Sequence, residues 1–353
     1  MVNGKYALAM VGFGGMAHWL YDWITENFDN LFVYGVYDIK ESQMEDARSK
    51  GLYAYSSREE LMADPKVDIV LCACPNDVHK EVVIDALRAG KTAISEKPVT
   101  MNSEDLQDMI DVANETGKVF TVHQNRRWDK DFRTIKHIYE QNLLGNIFNI
   151  ESRVHGSRGI PSDWRCHKPY GGGMILDWGV HLIDQMLQLI PNEKIVRIYN
   201  ENTNITTDEV DDGFHLMLTF ESGKRATVEV GTYNFIYMPR FYMQCKNGSA
   251  FIEDWQKNCK VAKLKAWNEK EVVPVQTAAG ITKTMAPRDE ITLDSYEIDR
   301  PKSDVHDFYR NLVKAVDGIE PQLIKLEEVR RVLLVMEGCF KSAELHQALE
   351  VNI

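Results

Sequence analysis

Asp177 and His181 stand four residues apart in the stretch 171–184, which reads Gly-Gly-Gly-Met-Ile-Leu-Asp-Trp-Gly-Val-His-Leu-Ile-Asp. On a helix this spacing puts both on one face, one turn apart. A carboxylate beside an imidazole fixes the ring tautomer and raises its basicity. His181 is thereby a candidate proton acceptor near neutral pH. The three glycines ahead of the pair are poor helix formers. They suit a turn in which backbone passes close to something flat, such as a cofactor ring. The plainer alternative is a helix N-terminus with a buried, hydrogen-bonded histidine.

A second cluster follows the first apolar run, 6–11. Gly12-Phe13-Gly14-Gly15-Met16-Ala17 leads into the stretch 17–27, where Trp19, Leu20, Trp23 and Ile24 have helical spacing. This is G-x-G-x-x-A between a strand and a helix. Gly12 permits the tight turn, Gly14 lets backbone approach a pyrophosphate, and Ala17 allows close helix packing. The phosphates would sit on the helix N-terminus, where free N–H groups and the dipole favour anions. Asp38 ends the next apolar run, where a carboxylate accepts hydrogen bonds from the adenosine ribose and repels a 2′-phosphate. NAD is expected in preference to NADP, with Lys40 close enough to leave some tolerance of NADP. Pro75-Asn76 follows the run 67–73, at the carboxyl edge of a sheet where ligands bind. Asn76 is placed at the nicotinamide ribose; His79, one turn on, is either a further cofactor contact or a surface histidine.

These residues need a scaffold, and the hydropathy pattern supplies one. Strands are expected at 6–11, 31–37, 52–55, 67–73, 92–95 and 119–123, with helices at 17–27, 42–50, 57–63, 77–89 and 103–116 between them. The last has Asn102 or Ser103 as its cap and Gly117 as its stop. Alternating strands and helices with continuously apolar strands mean a parallel sheet covered on both faces. Beyond about residue 128 the pattern changes to a helix at 131–144, a long strand at 147–155, an irregular loop at 158–173 and a helix at 174–189. Hairpin signals follow, Glu-Ser-Gly-Lys between 214–220 and 225–233, and Lys-Asn-Gly-Ser between 241–245 and 250–254. Strands at 260–266 and 271–275 continue the set, 276–303 reads as a surface excursion, and helices are expected at 305–316 and 326–349. The fold class is α/β, with a doubly wound parallel sheet followed by an α+β domain carrying a large, open, mostly antiparallel sheet. The expected divisions are 1–126, 127–303 and 304–353, the last packing back across the other two.

Bulk properties narrow the class. The 353 residues are 44% apolar and 27% charged, enough for a proper core without staples. The net charge of −12 argues against a nucleic-acid or anionic-membrane surface. The six cysteines show no C-x-x-C and no zinc spacing, as expected of a reduced, cytoplasmic protein without a bound metal. No apolar run approaches a spanning helix, and the first residues lack a signal-peptide pattern. A broad open sheet needs cover, and a second subunit is one natural cover.

Glu96-Lys97-Pro98 closes the strand 92–95. Taken with Gly12–Ala17, Asp38, Pro75-Asn76, Ala89-Gly90-Lys91 and the 171–184 stretch, in that order, the chain resembles the Gfo/Idh/MocA oxidoreductases along essentially its whole length. Members are glucose–fructose oxidoreductase-like and inositol dehydrogenase-like. The resemblance implies an N-terminal Rossmann domain for a nicotinamide cofactor and a C-terminal sheet that shapes the substrate site and oligomer contacts. It assigns Lys97 as the catalytic lysine, His181 as general acid/base and Asp177 as its supporting acid. Asp184 is a second acid that contacts substrate or holds structure. Glu96, Lys97 and Asn125 join the cofactor contacts, and the Lys97–Pro98 bond is expected to be cis. Arg126, Arg127 and Trp128 line the site or cement the domain junction. The segment 155–165 is similar to a branch acting on sugars and glycosides, some at the pyranose C3 hydroxyl. There Trp164 offers an aromatic face for a sugar or nicotinamide, Arg165 a forked donor, and His155 and Arg158 hydroxyl contacts.

The expected activity is hydride transfer between NAD and a secondary hydroxyl of a sugar, glycoside or cyclitol. Three other readings use the same residues. One is a glycosidase that oxidises, eliminates and reduces back without net NADH. Another is a cofactor-sensing regulator, which would be expected to lack the lysine or the histidine. The third is a metal site of Asp177, His181 and Asp184.

Overall fold

The computed structural model describes residues 1–265 and 272–353. Among them, six apolar runs pair into one sheet: β1 (Tyr6–Val11), β2 (Leu31–Tyr37), β3 (Tyr53–Ala54), β4 (Ile69–Cys72), β5 (Thr92–Ser95) and β6 (Phe120–Val122). Every pairing is parallel, in the order β3-β2-β1-β4-β5-β6. Helices α1 (Gly15–Asn27), α2 (Glu41–Ser49), α3 (Arg58–Ala63), α4 (His79–Arg88) and α5 (Ser103–Thr116) join them. All residues of β4, β5 and β6 are buried, which is why these runs carry no polar alternation. Asn102 caps α5 by accepting the Asp105 N–H at 2.8 Å, and Gly117 ends it at φ +65°. The strand order reverses between β1 and β4, which opens a crevice at their carboxyl ends.

The second half begins with α6 (Lys130–Glu140) and builds another sheet from β7 (Ile147–His155), β8 (Ile195–Thr203), β9 (Gly213–Phe220), β10 (Arg225–Gly231), β11 (Phe241–Cys245), β12 (Gly248–Ile252) and β13 (Cys259–Leu264). Between β7 and β8 runs α7 (Val180–Leu189). Within this sheet β7 and β10 are parallel and the other described neighbours antiparallel. The register puts Ile198, Leu218, Ala226, Ile150, Met243, Ala250 and Val261 side by side, all of them buried. One residue along, Tyr199, Met217, Thr227, Glu151, Tyr242, Phe251 and Lys260 form the opposite, solvent-facing row. This period-2 division is what the hairpin segments express in sequence.

Several expectations change. The segment 276–303 is no simple excursion: β14 (Val275–Thr277) and β15 (Gly280–Thr282) form a hairpin, and β16 (Leu293–Ile298) pairs with β13. The inner residues of this edge strand are largely exposed, so it has no alternation to read. β8 also escaped the sequence reading. The helix 174–189 starts as a wide π turn, Ile175–Gly179, before α7. Finally, of α8 (Asp307–Val316) and α9 (Leu326–Leu345), the second stops early. His346 turns left-handed at φ +51°, and β17 (Leu349–Glu350) then pairs with β8. The expected strand end at Ala266 and the first residue of the expected strand 271–275, Glu271, lie outside the described residues; of the remainder, 272–274 form no strand and only Val275 belongs to one, β14.

The C-terminal helices join the two sheets. Glu337 of α9 accepts the N–H and hydroxyl of Ser103 at the start of α5, while Ser342 accepts the Asn200 N–H from β8. Phe308 and Tyr309 of α8 pack on His123, just beyond β6. All six cysteines are free thiols. No described helix is long and apolar enough to cross a membrane.

Candidate active site

A cleft of about 700 Å³ opens at the strand-order reversal, within the size range of cofactor sites. Gly12 sits at φ +88°, and a Cβ there would lie 2.7 Å from the Ala73 carbonyl oxygen. Only glycine fits. Gly14 and Gly15 face open space, and no side chain caps α1. The first-turn N–H groups are therefore left for an anion, as a pyrophosphate requires. Asp38 accepts the Phe13 N–H on Oδ2 at 2.7 Å and the Lys40 N–H on Oδ1 at 2.8 Å. Each oxygen keeps a lone pair for a ribose hydroxyl. Met16, Lys40, Pro75 and Asn76 line the same cleft. These residues fit a dinucleotide. Phe13 contributes backbone only, since its ring is fully buried.

Of the expected cofactor residues, His79 serves the scaffold, and Asn76 does so as well as lining the cleft. The ring nitrogens of His79 each lie 2.9 Å from a backbone carbonyl, of Pro98 and of Cys74, and the side chain is fully buried. Burial pushes its pKa below the usual imidazole value. His79 thus ties the ends of β4 and β5 together outside the cleft wall. Asn76 donates its amide to the Gly171 carbonyl at 2.9 Å, so it holds the glycine run against the cleft.

At the inner end of the cleft the Lys97–Pro98 peptide is cis. Lys97 Nζ donates to Asp177 Oδ1 at 2.9 Å and to the Asp177 carbonyl at 3.0 Å. Arg165 Nε donates to the other carboxylate oxygen at 3.3 Å, and its guanidinium lies 4.5 Å from the Trp164 ring centre. Burial alone would raise the Asp177 pKa, but Lys97 and Arg165 hold it below the usual range. Glu96 behaves alike: burial is outweighed by His123, which donates from Nδ1 at 2.8 Å, and by Lys97.

The expected Asp177–His181 hydrogen bond is absent among the described residues. The carboxylate turns from the wide π turn to the ammonium and guanidinium, which are stronger partners than a neutral imidazole. His181 is 4% exposed, and its Nδ1 is enclosed with no partner among the described residues. Burial first, then the charges of Lys97, Arg126, His123 and Arg240, pushes its pKa well below the usual value. Both effects favour the neutral ring.

Not every sequence candidate reaches the cleft. Trp128 is buried against Phe308, and its carbonyl accepts the Ser303 hydroxyl. Arg127 forks onto Asp184 at 2.8 and 2.6 Å and onto Glu328 of α9 at 2.7 Å. Both residues, and Asp184 with them, cement the junction. This also keeps Asp184 from converging with Asp177 and His181 as a metal set. His155 is turned to Glu229, 3.2 Å from Nε2, while Nδ1 accepts the Met238 N–H. Arg158 is exposed outside the cleft lining, and Asn125 also lies outside it. Arg126 is also outside the cleft lining, but it stacks 4.1 Å from the Trp178 ring centre, near enough to His181 for its charge to act there.

Several site residues went unnoticed in the sequence. His123 lies just beyond β6, and the carboxyl-edge rule could have singled it out. Arg240 is buried, paired with Asp131 at 2.9 Å and donating to Gln185 at 3.0 Å. Asp211 accepts the Ile175 N–H at 2.8 Å, and a Cβ on Gly173 would lie 2.3 Å from its Oδ1. Neither carries a motif, because both are placed only by the second sheet.

Residues 6–124 match the model of the Gfo/Idh/MocA oxidoreductase family with an NAD-binding Rossmann fold, and residues 132–251 match that family's C-terminal domain. The chain belongs to this family. A crystal structure of an NAD-binding protein from Listeria innocua is 44% identical, with a TM-score of 0.94 over 98% of this chain and 99% of that one. Scyllo-inositol 2-dehydrogenase (NADP(+)) IolW of Bacillus subtilis is 28% identical over 81% of this chain and 79% of its own. An uncharacterized oxidoreductase of Schizosaccharomyces pombe is 34% identical over 51% of this chain; the match spans 50% of that relative's length.

Proposed function

We propose that this chain is an NAD-dependent dehydrogenase that moves a hydride between the nicotinamide and a secondary hydroxyl or ketone of a sugar, glycoside or cyclitol. The observation that carries the reading is a buried His181 whose neutral form is favoured by burial and by the nearby Lys97 charge, with Lys97 itself lining the dinucleotide cleft. A nicotinamide bound in the cleft supplies the hydride acceptor or donor. Lys97 has three N–H donors and spends two on Asp177. The third is left for the substrate oxygen, where it stabilises alkoxide character. His181 takes the hydroxyl proton through Nε2, since Nδ1 is enclosed. Asp177 positions Lys97 rather than His181.

The preference for NAD rests on the Asp38 carboxylate, which repels a 2′-phosphate. The named activity of the Bacillus subtilis relative supports a cyclitol or related substrate. The finer choice of pyranose C3 rests on the segment 155–165, from which Trp164 and Arg165 line the cleft. A homo-oligomer is proposed to cover the outer row of the second sheet, where Tyr199, Met217, Tyr242 and Phe251 lie among polar residues. Cytoplasmic residence agrees with six free thiols.

The test is absorbance at the NADH band when protein and NAD meet glucose, inositols, and O- and C-glucosides, with products weighed by mass spectrometry. NADH with a product two hydrogens lighter is expected. Glycoside cleavage without net NADH would replace the reading by the redox-cycling glycosidase. Demonstrated NAD binding with no chemistry on any compound would favour the regulator.

A further inference from the structure

Three distant segments meet beside His181. Arg126 follows β6, Trp178 sits in the wide turn next to Asp177, and Trp255 lies in the turn between β12 and β13. The two indoles have ring centres 5.7 Å apart, and the Arg126 guanidinium lies 4.1 Å from one and 5.4 Å from the other. Arg240 continues the stack, 4.8 Å from Trp255. Trp178 also meets the His181 ring edge-on at 6.0 Å, so the stack adjoins the proton-transfer group. Trp128 is buried in the core, whereas Trp178 is only part-buried and Trp255 is 36% exposed. Trp255 is held at the surface, and Trp178 packs one side on the core while its ring also stacks with the Arg126 guanidinium.

We infer that Arg126, Trp178 and Trp255 form the wall against which the substrate ring lies, and that this wall selects a neutral, cyclic polyol over an open-chain or acidic one. The inference rests on the dehydrogenase reading above. A pyranose or cyclitol offers a face of C–H groups to an indole and a rim of hydroxyls to hydrogen-bond donors. Arg126 spends Nη1 on Asp129 at 3.1 Å, and stacking fixes the plane of its remaining donors. The cations here already have carboxylates: Arg126 has Asp129, Arg240 has Asp131, and Lys97 has Asp177. Each of these positive charges is thus partly offset by its own carboxylate, which lowers the reward for a sugar acid.

Trp255→Ala is the informative variant. The ring is partly exposed, and the nearby hydrogen bond from Arg300 goes to the Trp255 backbone carbonyl, which the substitution keeps. With full-length protein and the best-turned-over inositol or glucoside, KM is expected to rise about tenfold. The kcat and the Kd for NAD should stay within about twofold, and Trp255→Phe should recover most of the loss. In wild type, glucitol and glucuronate should each have kcat/KM at least about tenfold below glucose or the inositol. An unchanged KM in Trp255→Ala, or a preference for glucitol or glucuronate, would overturn the inference while leaving the dehydrogenase standing. A second readout needs no turnover: myo-inositol and methyl glucoside are titrated against the indole emission of the NAD-loaded protein. Saturable quenching that Trp255→Ala abolishes supports the wall even if no NADH forms. Absence of both quenching and turnover with every ring compound would overturn the inference together with the reading beneath it.

Discussion

Lys97 Nζ donates to both the carboxylate and the backbone carbonyl of Asp177, at 2.9 and 3.0 Å. One ammonium thus clamps the end of β5 onto the wide turn ahead of α7, joining the cofactor half of the molecule to the half that carries His181. The pair is largely buried, each side chain 14% exposed. A charge pair in that setting keeps a fixed geometry, because separating it would strand both groups.

Lys97→Ala and His181→Ala should each lower kcat by about 10²–10⁴-fold, the usual contribution of a positioned proton-transfer group. NAD should still bind, since the Gly12–Gly15 cradle and Asp38 are untouched. Steady-state kinetics with parallel NAD titration checks this. Normal turnover in either variant would remove the assigned role.

The pH profile should report the depressed pKa of His181. Burial and nearby positive charge favour its neutral form. Oxidation uses that form, so activity is lost only as pH falls through the lowered value. The acid limb of kcat/KM should therefore lie below about 6.5, the ordinary imidazole value. A limb at or above that point, absent from His181→Asn by comparison of residual rates, would contradict the environment described.

Asp38→Ala should weaken NAD by about tenfold and narrow the discrimination against NADP, through loss of the ribose acceptor and of the charge facing a 2′-phosphate. Fluorescence titration with both cofactors measures it. An unchanged preference would mean that the ribose is read elsewhere.

Asp211 gives a prediction about stability. Burial raises its pKa from 3.8 to about 7. The folded state then binds the proton more tightly than the unfolded chain. Stability from this group is fully present below about pH 4 and is lost as pH rises through about 7. The difference is on the order of a few kcal/mol. Urea unfolding at about pH 5 and about pH 8 should show the decline, and Asp211→Asn should flatten it. Equal slopes in variant and wild type would place the proton elsewhere.

The sequence by itself determined the first sheet and the cofactor cradle. Continuous apolar strands, Gly12 against the Ala73 carbonyl and Asp38 at the end of β2 are local facts: each needs only its own segment and the neighbouring strand. The hairpins of the second sheet were legible for the same reason, since period 2 divides its buried and exposed rows. Edge strands were not, because β16 and β17 bury too little to impose a period.

The partners at the site were decided only by the tertiary structure. The spacing of Asp177 and His181 suggested a mutual hydrogen bond, yet the carboxylate faces Lys97 from another sheet and Arg165 from a loop. Sequence spacing reports which side chains share a face. It does not report which stronger donors, tens of residues away, are brought up against that face. The same reason separates Arg126, which stacks on Trp178 beside His181, from Arg127, which forks onto Asp184 and Glu328. Adjacent residues point different ways, and the elements packed around each one set its role.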